Sequence, residues 1–155
     1  MKPAVNYLKK HGIEHQVLDY QHDASAASYG AEAAAKLNLP EAVVYKTLVV
    51  STDSKQLAVA IIPVSTKLNL KKVASVIKCK KVMMAEPAIV ERTTGYVLGG
   101  VSPLGQKKRL TTVVDSSALQ HDMIYVSAGK RGLEIGINPT ELIQLLNGMT
   151  GELSK

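Results

Sequence analysis

The sequence predicts an α+β fold, a mixed α/β chain with a curved, largely antiparallel, barrel-like sheet core surrounded by short helices. Roughly seven or eight strand-like stretches are interspersed with short helical ones. Polar, hairpin-like turns join several of the strands, which favours antiparallel pairing. The helical stretches are too few and too short for a regular doubly wound sheet. No internal repeat and no linker divides the chain, so residues 1–155 read as one domain.

In chain order, residues 3–11 form a short helix with Pro3 in its first turn and Gly12 closing it. HQVLDY (15–20) alternates as a strand does. The polar stretch QHDASAAS leads into an Ala-rich helix over 29–37, stopped by Pro40. VVYKTLVV (43–50) is dense in β-branched residues and reads as a strand. STDSKQ turns the chain into LAVAIIPV (57–64), a second buried strand paired with the first and ended by Pro63. Leu70, Val73, Ala74 and Ile77 recur at helix spacing over 69–77, with Lys71, Lys72 and Lys78 opposite. KVMMA gives a short strand. Residues 86–93 give a short helix with Pro87 in its first turn and Gly95 beyond its end. Strands are expected at 96–98, 110–114, 123–127 and 133–137. The last helix opens at Asn138-Pro139-Thr140-Glu141, a capping-box pattern, and ends at Gly148.

Composition narrows the function classes. Hydrophobic residues make up 46% and charged residues 21%, so the chain folds rather than staying disordered. With no Phe and no Trp, the core must come from Val, Leu, Ile, Ala and Met, with Tyr as the aromatic. The net charge of +6 suits a polyanionic partner such as nucleic acid, and equally suits a merely basic protein. Cys79, in KCKK, is alone, which excludes an internal disulfide and a cysteine-based metal cluster. It is either a thiol activated by Lys78, Lys80 and Lys81 or an incidental one. No metal and no cofactor is expected. The opening residues mix charge and apolarity unlike a signal peptide, and no apolar run approaches the ~20 residues of a membrane helix. A cytoplasmic protein without a membrane partner is expected.

Candidate chemistry begins at Lys46. It shares a strand face with Val44, Leu48 and Val50, a cation on an otherwise apolar face. Either it snorkels to water from an edge strand or it lines a pocket for an anionic or polar ligand. GYVLGGVSPLGQKKR (95–109) combines Gly99 and Gly100 with Lys107, Lys108 and Arg109. Glycine amides can approach a carbonyl or phosphate oxygen closely, but the spacing is not that of a P-loop. VSAGKRG (126–132) again joins a hydroxyl, Ser127, to glycines and two cations, Lys130 and Arg131. Both stretches could equally be plain turns. No G-x-S-x-G elbow occurs, and His11, His15, His22 and His121 lack metal spacing. An enzyme built this way would work by positioning, by backbone oxyanion stabilisation or through a group on the substrate.

VYKTLVV, TGYVLGGVSPLGQKKR and IYVSAGKRGLEI resemble the YbaK family of Cys-tRNA(Pro) deacylases, relatives of the editing domain of bacterial prolyl-tRNA synthetases. The resemblance covers nearly the whole chain. It implies a free-standing trans-editing enzyme for tRNA(Pro) mischarged with cysteine, with Cys-tRNA(Cys) a further substrate. The substrate thiol would attack its own ester, a lyase-type cyclisation that explains the missing protein nucleophile. Residue by residue, the resemblance makes Lys46 the essential lysine and gives Gly99 and Gly100 amides that face the carbonyl. It makes Tyr20, Tyr29, Thr47 and Ser127 substrate-binding, with Tyr29 standing where an aromatic residue, often Phe, lines the pocket. Lys107, Lys108, Arg109, Lys130 and Arg131 become tRNA phosphate contacts, and prolyl-tRNA synthetase a partner in a complex with tRNA. Two other readings stay open: a hydrolase for Ala-tRNA(Pro) or other small aminoacyl-tRNAs, and a non-catalytic tRNA- or synthetase-binding module.

Overall fold

Two sheets meet at one edge in the computed structural model, which describes residues 3–25 and 29–155, with Tyr29 described by its backbone alone. The strands are β1 (Gln16–Asp19), β2 (Tyr45–Thr52), β3 (Leu57–Pro63), β4 (Val82–Met84), β5 (Thr111–Asp115), β6 (Ile124–Ser127), β7 (Leu133–Ile137) and β8 (Met149–Gly151). The helices are α1 (Pro3–Lys10), α2 (Tyr29–Lys36), α3 (Leu70–Ile77), α4 (Pro87–Thr94) and α5 (Pro139–Leu146). One sheet has the order β1-β7-β6 and the other β4-β2-β3-β5-β8. The three-stranded sheet is antiparallel throughout. In the larger one, β2 pairs antiparallel with β3 and β4, whereas β3–β5 and β5–β8 are parallel. A single parallel bridge, Val44 to Tyr125, ties the sheets together just before β2. The mixed α+β class with short helices is the one expected. Among the described residues no helix is long and apolar enough to cross a membrane.

The period-2 pattern of LAVAIIP explains why β3 is central. Val59 and Ile61 enter the core between the two sheets, beside Tyr45, Val126, Ile135 and Ile137. Ala58, Ala60 and Ile62 point the other way, into a second core under α3 with Val50, Val73 and Ala74. Both faces of the strand are covered, so the run is almost continuously apolar. Each fully buried Ile or Leu contributes about 1.5–3 kcal/mol of transfer free energy. A third, smaller cluster of Val49, Val90, Tyr96 and Val101 forms where α4 meets β2.

Local signals set the helix ends. Asn69 Oδ1 accepts from the N–H groups of Lys71 (3.1 Å) and Lys72 (3.2 Å), and Asn138 Oδ1 from that of Glu141 (3.1 Å). Two expectations need correction, and one strand was not expected. Residues 96–98 are not a strand. Gly95 leaves α4 in the left-handed conformation, Tyr96 is buried, and its hydroxyl donates to the Leu104 carbonyl (2.6 Å), so the chain turns back instead of pairing. The strand expected at 43–50 begins at Tyr45 and runs on to Thr52, with Glu41–Val43 a 3₁₀ turn. The short β8 had no expectation at all. It is held against β5 by buried Leu153, whose N–H donates to Asp115 Oδ1 (2.8 Å).

Candidate active site

Lys46 opens into a cavity of about 410 Å³ where the two sheets and α4 meet. Val44 and the β2 residues 45–49 form one side. Val49, Val90 and Val101 of the third cluster supply much of the apolar wall, joined by Leu98 and Ala85, with Val44 and Leu48 beside Lys46. Across from β2 lie Ser127, Lys130 and Arg131, with Tyr20 and Glu134. Gly30 of α2 completes the rim.

The polar groups differ in how they are held. Lys46 is half-buried, and among the described residues it makes no ion pair. Burial lowers its pKa, and the charge of Lys67 pushes it the same way. Thr47 Oγ1 lies buried with no hydrogen-bond partner among the described residues. Ser127 Oγ accepts from the Gly129 N–H at 3.1 Å. The Tyr20 N–H donates to the Gly132 carbonyl (2.9 Å), which fixes the start of its loop, and burial foremost raises the pKa of its hydroxyl. At the foot of β2 the Tyr45 hydroxyl meets Ser117 Oγ at 2.7 Å, Ser117 Oγ donates to Asp115 Oδ2 at 2.5 Å, and β2 is thereby anchored beneath Lys46.

The two glycine loops converge. A Cβ on Gly100 would lie 3.3 Å from the Lys130 Cα, so the 99–100 turn packs directly on the 129–131 turn. Gly99 adopts φ of 88°, a conformation that a side chain would strain, and it lines the cavity. Gly100 is buried behind it, and its N–H donates to the Val97 carbonyl (3.0 Å). Of the glycine pair, therefore, Gly99 has the amide that remains for a ligand. Tyr96 supports the turn from below, and burial pushes its hydroxyl to about 12, which keeps it a donor.

The cations expected to act together are divided. Lys130 and Arg131 line the cavity. Lys108 and Arg109 line a separate groove on the far side of Met84, while Lys107 lies along Gly95. Tyr29 stands at the first position of α2, and its side chain lies outside the described residues.

One residue escaped the sequence reading. Glu134 sits on β7 with 7% exposure and faces the cavity, and burial pushes its carboxyl up to about 8. At neutral pH it is mostly an uncharged acid that can donate a hydrogen bond. Its signal was available, since an acid inside the apolar run LEIGI is as odd as a lysine inside VVYKTLVV. Among the described residues, no three His, Cys, Asp or Glu side chains come together as metal ligands would. The arrangement can therefore hold a small side chain against an apolar wall and grip an ester with Lys46, the Gly99 amide and hydroxyls.

Comparison with known proteins gives the family. Residues 23–145 match the family model of the aminoacyl-tRNA editing domain. A protein of Enterococcus faecalis, provisionally named a Cys-tRNA(Pro)/Cys-tRNA(Cys) deacylase, EbsC, is 36% identical over 97% of this chain and 92% of its own length. The crystal structure of a hypothetical protein superposes with a TM-score of 0.89 at 26% identity, covering 99% of this chain and all 100% of the other. A crystal structure provisionally described as a trans-editing enzyme for prolyl-tRNA synthetase shares the fold, with a TM-score of 0.87 at 21% identity over 99% of this chain and 95% of its own. Fold, cavity and sequence match lead to one assignment: the chain belongs to the aminoacyl-tRNA editing domain family, the YbaK-type deacylases that act on mischarged tRNA.

Proposed function

We propose that this enzyme clears cysteine from mischarged tRNA(Pro), and from tRNA(Cys) as a further substrate, by letting the substrate thiol cleave its own ester. The observation that carries the reading is a cavity rich in positioning groups and poor in nucleophiles. Among the described residues lining it there is no cysteine and no histidine, and Ser127 Oγ is engaged by the Gly129 N–H and makes no hydrogen bond to a side-chain base. Catalysis then rests on holding the ester where a built-in nucleophile can reach it.

The step balances within the substrate. The cysteinyl sulfur attacks the ester carbonyl, a C–S bond forms, the C–O bond to the terminal ribose breaks, and the thiol proton ends on the released ribose oxygen. The amino acid leaves as a cyclic thioester. In this reading Lys46 holds the acceptor end, and the Gly99 N–H receives the charge that develops on the carbonyl oxygen. Gly100 contributes by packing, not by its amide. Thr47, Ser127, Tyr20 and neutral Glu134 orient the aminoacyl group, and Tyr29 joins them from α2. The valine wall suits a thiol, which buries as a small hydrophobe, better than a hydroxyl that would go unpaired there. A complex with prolyl-tRNA synthetase would supply the choice of tRNA, in the cytoplasm where charged tRNA is used.

The test is ester loss from Cys-tRNA(Pro). Lys46→Ala is expected to slow it on the order of a hundredfold while moving folding stability by no more than about 0.5 kcal/mol, since the side chain has no ion-pair partner to lose. Equal turnover by the variant and the parent would overturn the reading.

A further inference from the structure

We propose that the groove beside the cavity binds the single-stranded stretch of RNA that leads to the esterified end. The groove, of about 860 Å³, is roughly twice the size of the cavity. It is framed by the β2–β3 turn, β4, α4 and residues 108–111. Met84 and Ala85 line both spaces, so the groove adjoins the cavity across these two residues. A strand whose last nucleoside sits at Lys46 can therefore run past Met84 into the groove.

Its chemistry fits a phosphodiester chain. Lys55, Lys81, Lys108 and Arg109 come to it from three separate stretches of sequence. Asp53 and Glu86 line it too, which leaves cations in excess by four to two. None of the four cations is ion-paired among the described residues, although Arg109 donates to the Leu145 carbonyl (3.2 Å). Between them the edge strand β4 presents Met83 and Met84, 56% and 48% exposed. Single-strand sites pair a basic groove with a flat apolar surface for the bases, a surface that aromatic side chains usually supply and that the soft, polarizable thioethers of Met83 and Met84 would supply here. A duplex is too wide to pass Met84 into a cavity of 410 Å³.

This path rests on the deacylase reading for where the strand ends, but its test needs no ester. Fluorescence anisotropy would follow a labelled single-stranded RNA oligonucleotide and uncharged tRNA binding to Lys55→Gln/Lys81→Gln. Affinity for both is expected to fall on the order of tenfold, and the salt slope by about 1.4, from ~0.7 per lost phosphate contact. Lys9→Gln/Lys10→Gln removes the same charge from α1, whose residues do not line the groove, and should stay within about twofold of the parent. Equal losses in the two variants would mean a bulk charge effect and overturn the groove, as would no loss in either. A parent protein that binds RNA through Lys55 and Lys81 yet cleaves no Cys-tRNA would sink the deacylase reading and keep the groove as a single-strand site, without the esterified end at Lys46.

Discussion

Thr47 Oγ1 is buried beside the cavity with no hydrogen-bond partner among the described residues. A buried hydroxyl left unpaired in this way costs stability. Strand propensity favours Thr here, but Val would serve the strand as well. Thr47→Val retains the branched shape and removes the hydroxyl. Melting should show stability unchanged or raised by about 1 kcal/mol, while KM for the aminoacyl ester rises several-fold. A fall in stability matching the fall in activity would make Thr47 a packing residue. Lys46 beside it follows the same logic, because a half-buried cation without an ion pair is costly unless something anionic or polar arrives.

At the scale of elements, the site is two turns brought to one strand. The contact that joins them is Gly100 against the backbone of Lys130, with no room for a methyl group unless one turn moves. Gly100→Ala should cost about 1–3 kcal/mol of stability. It should also lower kcat by parting Gly99 from Lys46, read as a lower melting temperature together with slower ester cleavage. How much was legible follows the range of each cause. Lys46 stood out because a strand's period-2 pattern is local. Glu134 carried the same mark but sat in a strand read purely as core. The division of Lys107, Lys108 and Arg109 from Lys130 and Arg131 was invisible, because it depends on where α4 sends the chain. Residues 96–98 looked like a strand by composition, but a buried Tyr96 hydroxyl claims the Leu104 carbonyl instead. β8 was too short to have a pattern and exists because β5 offers it an edge.

For the whole molecule, the two sheets form the frame of the site. β3 buries both faces, β2 is anchored through Tyr45, Ser117 and Asp115, and the bridge at Val44 locks the sheets beside Lys46. The class and most elements were readable from alternation and caps, because those forces are local. The meeting of the sheets was not, since it depends on long-range packing of Val59 and Ile61 against Val126, Ile135 and Ile137 and on the Val44–Tyr125 bridge. With no cysteine or histidine among the described residues lining the cavity, the proposed mechanism predicts that the substrate's own chemistry sets the rate. The most direct measurement compares cleavage of the same tRNA charged with cysteine and with serine, whose shapes differ by one atom. The account predicts rapid release of cysteine as a cyclic thioester and serine release slower by at least about a hundredfold. Equal rates, with free amino acid as the first product in both, would contradict it.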